Sequence, residues 1–194
     1  ADPGNTEALM LKAETLVVGN ASDELVQQAF DRAAQAAPTP EVFHLEANWH
    51  LSRGKGGKID EAIDALLRGS ALFADNGRLR RRLAGLLLEA HRQDEAIEIL
   101  KQTLAIEPMM PDTYGLLGQV MMDRGPAAWK QATEYLDEAL RLSPEDSLHL
   151  ARLGRLLRLR GMVEHEEREQ LWAQATEFFE RAIQDQRRNH RAMV

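Results

Sequence analysis

The sequence contains no cysteine, and aromatic residues make up only 5% of it. The lack of cysteine excludes disulfide bonds, thiol catalysis and thiolate metal sites, and it fits a reducing or an oxidising compartment equally well. No apolar run approaches the roughly 18 residues that a membrane-spanning helix needs. The sequence therefore does not predict membrane insertion, and it leaves the localisation open between the cytoplasm and a bacterial periplasm. The composition favours a bacterial source.

Basic residues are fewer than acidic ones, at 24 against 31. The formal net charge is −7 and the isoelectric point is about 5.4, which argues against general binding to nucleic acids or anionic membranes. Leucine and alanine supply most of the apolar residues, and no alternating strand pattern is present, so the composition favours helices. Because the chain starts at Ala1 rather than at a methionine, we expect a processed protein or a piece of a longer one.

The residue patterns of common catalytic and metal sites are absent. Residues 54–58, GKGGK, lack the spacing of a phosphate-binding loop, so we interpret them as an extended turn between helices. His44 and His50 do not share a helix face, and the helical segment that begins at His165 lacks a second histidine four residues on. No G-x-S-x-G motif occurs. We therefore predict no enzymatic activity, no cofactor and no metal.

A small residue recurs at a nearly constant step along the chain. Two helices that cross closely leave no room for a larger side chain at the crossing point. The steps are 34, 37, 34 and 36 residues between Ala13, Ala47, Ala84, Gly118 and Gly154. Each repeat has the pattern of two short helices joined by a turn. We predict an all-α fold with one domain over residues 1–194, divided into repeats over 6–39, 40–76, 77–110, 111–146 and 147–188.

Local signals predict where individual helices begin and end. Thr39 and Pro40 are typical of a helix start with a hydroxyl cap and a proline in the first position. In the fifth repeat, Gly161 is expected to start the turn. The charged residues 164–170 are expected to form an early start of the last helix, which should end near Arg188.

The fourth repeat carries the most complete version of the pattern. Its first helix has Tyr114, Leu117, Gly118 and Met121, and its second has Ala132, Leu136, Ala139 and a closing Pro144. A helix–turn–helix period near 34 with these positions resembles the tetratricopeptide repeat family. The resemblance implies a right-handed α-solenoid of about five repeats, in which the first helices line a concave groove that binds other proteins.

The resemblance also implies which residues would line that groove. The candidates are mostly cationic, and an arginine fork binds carboxylates in a bidentate manner, so we predict an acidic segment or a free carboxylate as the partner's contribution. Gly115 would leave room for a ligand backbone. The alternative is a solvated face whose arginine stems cover apolar surface. The predicted partner-binding residues are Asn48, Arg78, Arg81, Arg82, Gln119, Met122, Arg152, Arg155 and Arg158.

The last helix carries a wide apolar stripe that includes Trp172 and Phe178. One interpretation is that the stripe packs within the last repeat. The other is that Trp172 and Phe178 form an interface with a partner or with a second copy of the chain.

These features predict a non-catalytic scaffold or adaptor that takes part in assembling a larger complex. The alternatives are a regulatory or targeting region of a larger enzyme and a self-associating oligomeric scaffold. The identity of the partner does not follow from the sequence.

Overall fold

The computed structural model describes residues 3–53 and 57–192, with side chains over 7–53 and 57–184. The all-α prediction is confirmed, because every regular element in these ranges is helical. Part of the predicted turn at 54–58 lies outside the described residues, namely 54–56. The elements are α1 (Pro3–Val18), α2 (Asp23–Ala36), α3 (Pro40–Leu51), α4 (Ile59–Leu72), α5 (Gly77–Glu89), α6 (Gln93–Ile106), α7 (Pro111–Asp123), a short 3-10 helix (Pro126–Ala128), α8 (Trp129–Leu142), α9 (Ser147–Val163) and α10 (Arg168–Ala192).

Consecutive helices pack as hairpins. We call α1 with α2 hairpin 1, α3 with α4 hairpin 2, α7 with α8 hairpin 4 and α9 with α10 hairpin 5. The chain divides into two compact units, Ala1–Ile99 and Leu100–Val194. Within the first unit α2 packs on α3 and α4 on α5, and within the second unit α9 packs on α8 and contacts α7. No helix in the described ranges is long and apolar enough to cross a bilayer.

The helix starts follow the sequence signals only in part. Pro40 begins α3 as predicted, but the Thr39 hydroxyl makes no capping bond and lies 3.8 Å from the Met10 sulfur. Predicting a hydroxyl cap at Thr39 was therefore wrong. Side-chain caps occur instead at Asn76, which accepts from the Leu79 amide, and at Asp146, whose carboxylate accepts two amides at the start of α9.

The turn predicted at Gly161 is also wrong, because Gly161 lies inside α9. A β-carbon at this position would lie 2.6 Å from two atoms of the Trp172 ring, so glycine is needed for close packing rather than for a turn. The longer α9 and the late start of α10 at Arg168 together take up the extra residues of the fifth repeat.

The aligned small residues stand where paired helices approach most closely. Ala13, Ala47 and Ala84 are at most 1% exposed. A β-carbon on Gly118 would lie 2.6 Å from the Leu136 side chain, and one on Gly154 would lie 2.9 Å from the Phe179 ring. Glycine at these positions lets each first helix sit against the large residue of its own second helix.

In the first unit, a fully buried carboxylate joins three helices. Glu46 on α3 accepts hydrogen bonds from Gln27 of α2 at 2.7 Å and from Arg68 of α4 at 2.6 Å. A buried charge is tolerated when it is paired and hydrogen-bonded. Phe30 of α2 and Trp49 of α3 pack together with ring centroids 5.8 Å apart, so hairpins 1 and 2 share both a polar link and an apolar core.

In the second unit, hairpins 4 and 5 share a tryptophan contact that comparing the repeats within the sequence did not identify. The Trp129 indole nitrogen donates to the Met122 carbonyl at 3.1 Å, and that of Trp172 donates to the Arg158 carbonyl at 3.2 Å. Each tryptophan is followed four residues later by a threonine whose hydroxyl donates to the tryptophan carbonyl. The same contact therefore ties the start of the second helix to the first helix in both hairpins.

Two buried histidines occupy core positions of first helices. His149 is fully buried and His50 is 6% exposed. Burial lowers the pKa of both imidazoles; nearby carboxylates oppose this, while Arg152 beside His149 adds to it. The folded protein therefore favours the neutral form of both side chains.

We expect Gly118→Ala to destabilise the protein and Gly85→Ala to stabilise it. The added methyl at Gly118 meets Leu136, whereas one at Gly85 meets nothing within 4 Å. Overpacking costs about 1–3 kcal/mol, and replacing an unconstrained helical glycine by alanine gains about 0.5–1 kcal/mol. Urea denaturation of the two variants beside the wild type measures both changes. Equal effects would contradict the close-crossing interpretation.

We also expect stability to fall as the pH drops below about 6.5, the ordinary histidine pKa. In that range the unfolded chain takes up protons at His50 and His149, whereas the folded chain keeps both side chains neutral. The free energy of unfolding therefore falls with falling pH, by at most about 1.4 kcal/mol per pH unit for each histidine. Thermal denaturation between pH 7.5 and 5.5 measures the slope. His149→Asn should flatten it, and the same change at exposed His91 should not; an unchanged slope in the His149 variant would refute the assignment.

Candidate functional site

In the first unit, predicted groove residues meet on adjacent first helices. Arg82 of α5 lies with a guanidinium nitrogen 3.4 Å from the Asn48 side-chain oxygen of α3. Arg78 and His44 lie on the same side. Burial lowers the pKa of His44, and Arg78 and Arg82 lower it further by repulsion of the imidazolium. We call these four residues the α3–α5 face; its two arginines are exposed, and the neighbouring Arg81 is half-buried.

An apolar cavity of about 360 Å³ adjoins the α3–α5 face on the side of α1. Trp49, only 5% exposed, and Phe30 contribute aromatic walls, and Val18, 83% exposed, stands at the solvent side. Asn48 belongs both to the cavity wall and to the face, so its amide lies between apolar and cationic surfaces. Comparing the repeats within the sequence identified Asn48. It did not identify this cavity, because residues from two repeats form it.

In the second unit, Arg152 of α9 is held by α7. Its Nε donates to the Gln119 side-chain oxygen at 3.1 Å, and its Nη1 lies 3.4 Å from His149 Nδ1. Burial lowers the pKa of Arg152, although a guanidinium stays charged in proteins. A β-carbon on Gly115 would lie 2.8 Å from Arg152 Nη1 and 2.5 Å from the His149 ring. The space predicted at Gly115 for a ligand backbone is therefore filled by the protein itself.

Arg155 lies farther along the same side of α9, with its guanidinium 3.7 Å from the Asp123 carboxylate of α7. We call Gln119, Asp123, Arg152 and Arg155 the α7–α9 face. Its positive charge is smaller than the run of arginines in α9 predicts, because α7 supplies carboxylates. Met122 is only 2% exposed, so its side chain offers a partner almost no surface in this conformation.

The two predicted interface residues of the last helix differ in accessibility. Trp172 is 42% exposed. Phe178 is half-buried, and the Arg181 guanidinium lies over its ring at 5.7 Å. Beside Trp172 lies an apolar cavity of about 370 Å³ between α9 and α10, with Arg158 at its edge. The exposed apolar surface of this helix therefore centres on Trp172 rather than on Phe178.

The described residues contain no group of three or more His, Asp or Glu side chains arranged to hold a metal ion. The histidines with lowered pKa values are each surrounded by helix-packing contacts: His44 by Arg78 and Arg82, His50 by Glu46, and His149 by Arg152. Their shifts follow from burial and neighbouring charge in the helix interfaces.

Comparison with solved structures finds helical proteins of similar fold. A MamA crystal structure aligns with a TM-score of 0.68 over 97% of this chain and 96% of the other, at 16% identity. A MamA structure from Desulfovibrio magneticus RS-1, starting at residue 41, gives 0.65 over 96% and 98%, at 17% identity. PilF of Pseudomonas aeruginosa gives 0.67 over 93% and 76%, at 20% identity. At these identities the likeness concerns the fold.

No curated protein matches the sequence significantly. The profile of the tetratricopeptide repeat family matches residues 55–120, which run from the turn inside the second predicted repeat into the first helix of the fourth. The profile match and the fold shared with MamA and PilF agree with the helical hairpins, their period and their small crossing residues. The match over residues 55–120 confirms the predicted resemblance to the tetratricopeptide repeat family, and the chain shares its helical fold with these solved structures.

Proposed function

We propose that this protein is a non-catalytic adaptor that binds an acidic segment of a partner protein, in the assembly of a larger complex. The tetratricopeptide-repeat fold supports a protein-interaction scaffold in general. The segment would use an apolar side chain as anchor and a carboxylate as its second contact.

The observation that carries this proposal is the position of Asn48. Its side chain lines the apolar cavity between α1 and α3 and also contacts Arg82. An apolar side chain of a partner could enter the cavity, where burial of apolar surface contributes about 25 cal/mol per Å². A carboxylate a few residues away would then reach exposed Arg78 or Arg82. Apolar anchors combined with few polar contacts are typical of binding sites in proteins.

The α7–α9 face supports the same kind of contact in the second unit. Arg152 is fixed by Gln119, while Arg155 is exposed and only loosely paired with Asp123 at 3.7 Å. An exposed pair of this kind contributes little to stability. A partner carboxylate could therefore displace Asp123 from Arg155 at small cost.

Self-association through the last helix is the alternative proposal, supported by the exposed ring of Trp172. A role as the regulatory or targeting region of a larger enzyme has no specific support among the described residues. Light scattering over a range of protein concentrations separates a monomeric adaptor from a self-associating scaffold.

We expect an acidic peptide with one apolar anchor to bind wild-type protein and to bind Arg82→Glu at least about tenfold more weakly, because a reversed charge repels the carboxylate. The probe is a fluorescein-labelled peptide with one phenylalanine followed by three glutamates, measured by fluorescence anisotropy. Replacing the phenylalanine by serine should weaken binding as well, since the cavity then stays unfilled.

The matched control is Arg32→Glu, which reverses an exposed charge on the second helix of hairpin 1. It should bind the peptide like the wild type. Equal binding by the wild type, Arg82→Glu and Arg32→Glu would mean that the α3–α5 face does not recognise the peptide, and the proposal would fail.

A further inference from the structure

The cavity between α9 and α10 has a less exposed counterpart one repeat earlier. Its lining residues are Arg158, Met162, Trp172, Ala175, Thr176 and Phe179. Gly154 corresponds to Gly118, 36 residues earlier, and Phe179 corresponds to Leu136, 43 residues earlier. We applied the first step to the first helix and the second step to the second helix, which gives the matching residues of hairpin 4. They are Met122, Pro126, Trp129, Ala132, Thr133 and Leu136.

The shared tryptophan contact shows that this correspondence is structural. Trp129 bonds to the Met122 carbonyl and Trp172 to the Arg158 carbonyl, and the same two steps relate both partners. The accessibility of the two sets differs. Trp129 is 8% exposed and Met122 is 2% exposed, whereas Trp172 is 42% exposed, and Arg158 is exposed as well.

The two hairpins differ in the described helices that pack on them. Hairpin 4 is followed by α9, which packs on α8 and contacts α7. On hairpin 5, no described helix takes the corresponding place. The surface that remains uncovered includes Trp172, Met162 at 47% exposure and Ile183 at 50%. We call this surface, together with the adjoining cavity, the α9–α10 end face.

From this correspondence we infer that the α9–α10 end face binds an amphipathic helix of a partner protein, packed as α9 packs on hairpin 4, with acidic residues where α9 carries Arg152 and Arg155. The inference shares Arg155 with the α7–α9 face, but it concerns a different surface from the α3–α5 face and does not depend on the function proposed for that face.

The apolar part of the partner helix follows from α9 itself. On the side of α9 that meets hairpin 4, buried Leu153 and Leu156 follow His149, whose ring lies against Gly115 of α7, at the spacing of one helix face. A helix that covers the end face in the same way needs a similar apolar stripe. Such helix-in-groove binding uses anchors at steps of three and four residues.

The acidic part follows from the charges on the receiving helix. On α7, acceptor side chains face the arginines of α9: Gln119 binds Arg152, and Asp123 lies near Arg155. On α9, Arg155 and Leu159 stand at the positions that correspond to Gln119 and Asp123, and Arg158, next to Leu159, lines the cavity. At the first position an acceptor has become a cation, and at the second a carboxylate is lost beside a cation, so the complement is a helix with carboxylates opposite them.

A second copy of this chain fits the end face poorly. Its α1 would be the stacking helix, but Lys12 and Thr15 stand where α9 has buried Leu153 and Leu156, and both are exposed. Lys12 and Arg32 also line the surface that α1 and α2 present, and they would meet Arg158. The same surface of α1 and α2 also carries Leu9, Leu16 and Leu25, so it is the cations Lys12 and Arg32 that disfavour a second copy on the α9–α10 end face.

The test uses a labelled peptide with the α9 sequence, residues 146–163, carrying Arg152→Glu and Arg155→Glu. We expect saturable binding to the full chain in fluorescence anisotropy. The unaltered peptide should bind at least about tenfold more weakly, because its Arg152 would face Arg155 and its Arg155 would lie near Arg158. Binding should also shift the tryptophan emission to the blue, since Trp172 is the exposed tryptophan and Trp49 and Trp129 are buried.

Protein variants locate the binding surface. Arg158→Glu should weaken binding of the acidic peptide and strengthen binding of the unaltered one. A loss of folding cannot produce this reversal. Thr176→Lys places a charge at an exposed position of the cavity wall and should weaken the binding of both peptides. Trp172→Phe should abolish the emission shift while anisotropy still reports binding. Arg82→Glu should leave binding unchanged, which separates this surface from the α3–α5 face.

Three results would overturn the inference. One is the absence of saturable binding up to about 1 mM peptide, which corresponds to less than about 4 kcal/mol of binding free energy. Another is binding that Arg158→Glu and Thr176→Lys leave unchanged. The last is a doubling of mass in light scattering that Thr176→Lys suppresses, because the end face would then bind a second copy of the chain.

Discussion

The close crossing of two helices within each hairpin is the constraint on which this structure depends. Gly118 sits against Leu136 and Gly154 against Phe179, at distances that exclude even a methyl group without movement of the neighbour. A single hairpin cannot bury both sides of its helices, so the large residue opposite the small one becomes the core that neighbouring helices share. The spacing of the small residues therefore sets both the repeat period and the position of every apolar side chain that packs there.

Contacts between hairpins are more varied than contacts within them. In the first unit, the buried Glu46 of hairpin 2 accepts a hydrogen bond from Gln27 of hairpin 1. In the second unit, Arg152 bonds to Gln119 across two first helices. These polar contacts give each interface its own geometry and charge. A repeat protein can thus present surfaces of different charge while its hairpins keep the same internal packing.

The sequence predicted the elements of the fold better than their boundaries. Periodic small and apolar residues identified the hairpins, because helix crossing imposes a local and repeated requirement on the chain. The turn at Gly161 was wrong because glycine serves two purposes: it permits turns, and it permits close packing. Only the position of the Trp172 ring distinguishes the two uses. The Thr39 cap was wrong for a related reason, since a hydroxyl next to a helix start can be directed elsewhere by its surroundings.

The sequence by itself determined the all-α class, the hairpin period and the arginine-rich character of α9, because these depend on residue type and spacing along one helix. The tertiary structure alone decided which charges face one another and which apolar residues remain accessible. It placed Asp123 beside Arg155, filled the space at Gly115 with His149 and Arg152, and covered Trp129 while leaving Trp172 exposed. The physical reason is that burial and charge pairing depend on neighbouring helices, whose positions no single repeat encodes.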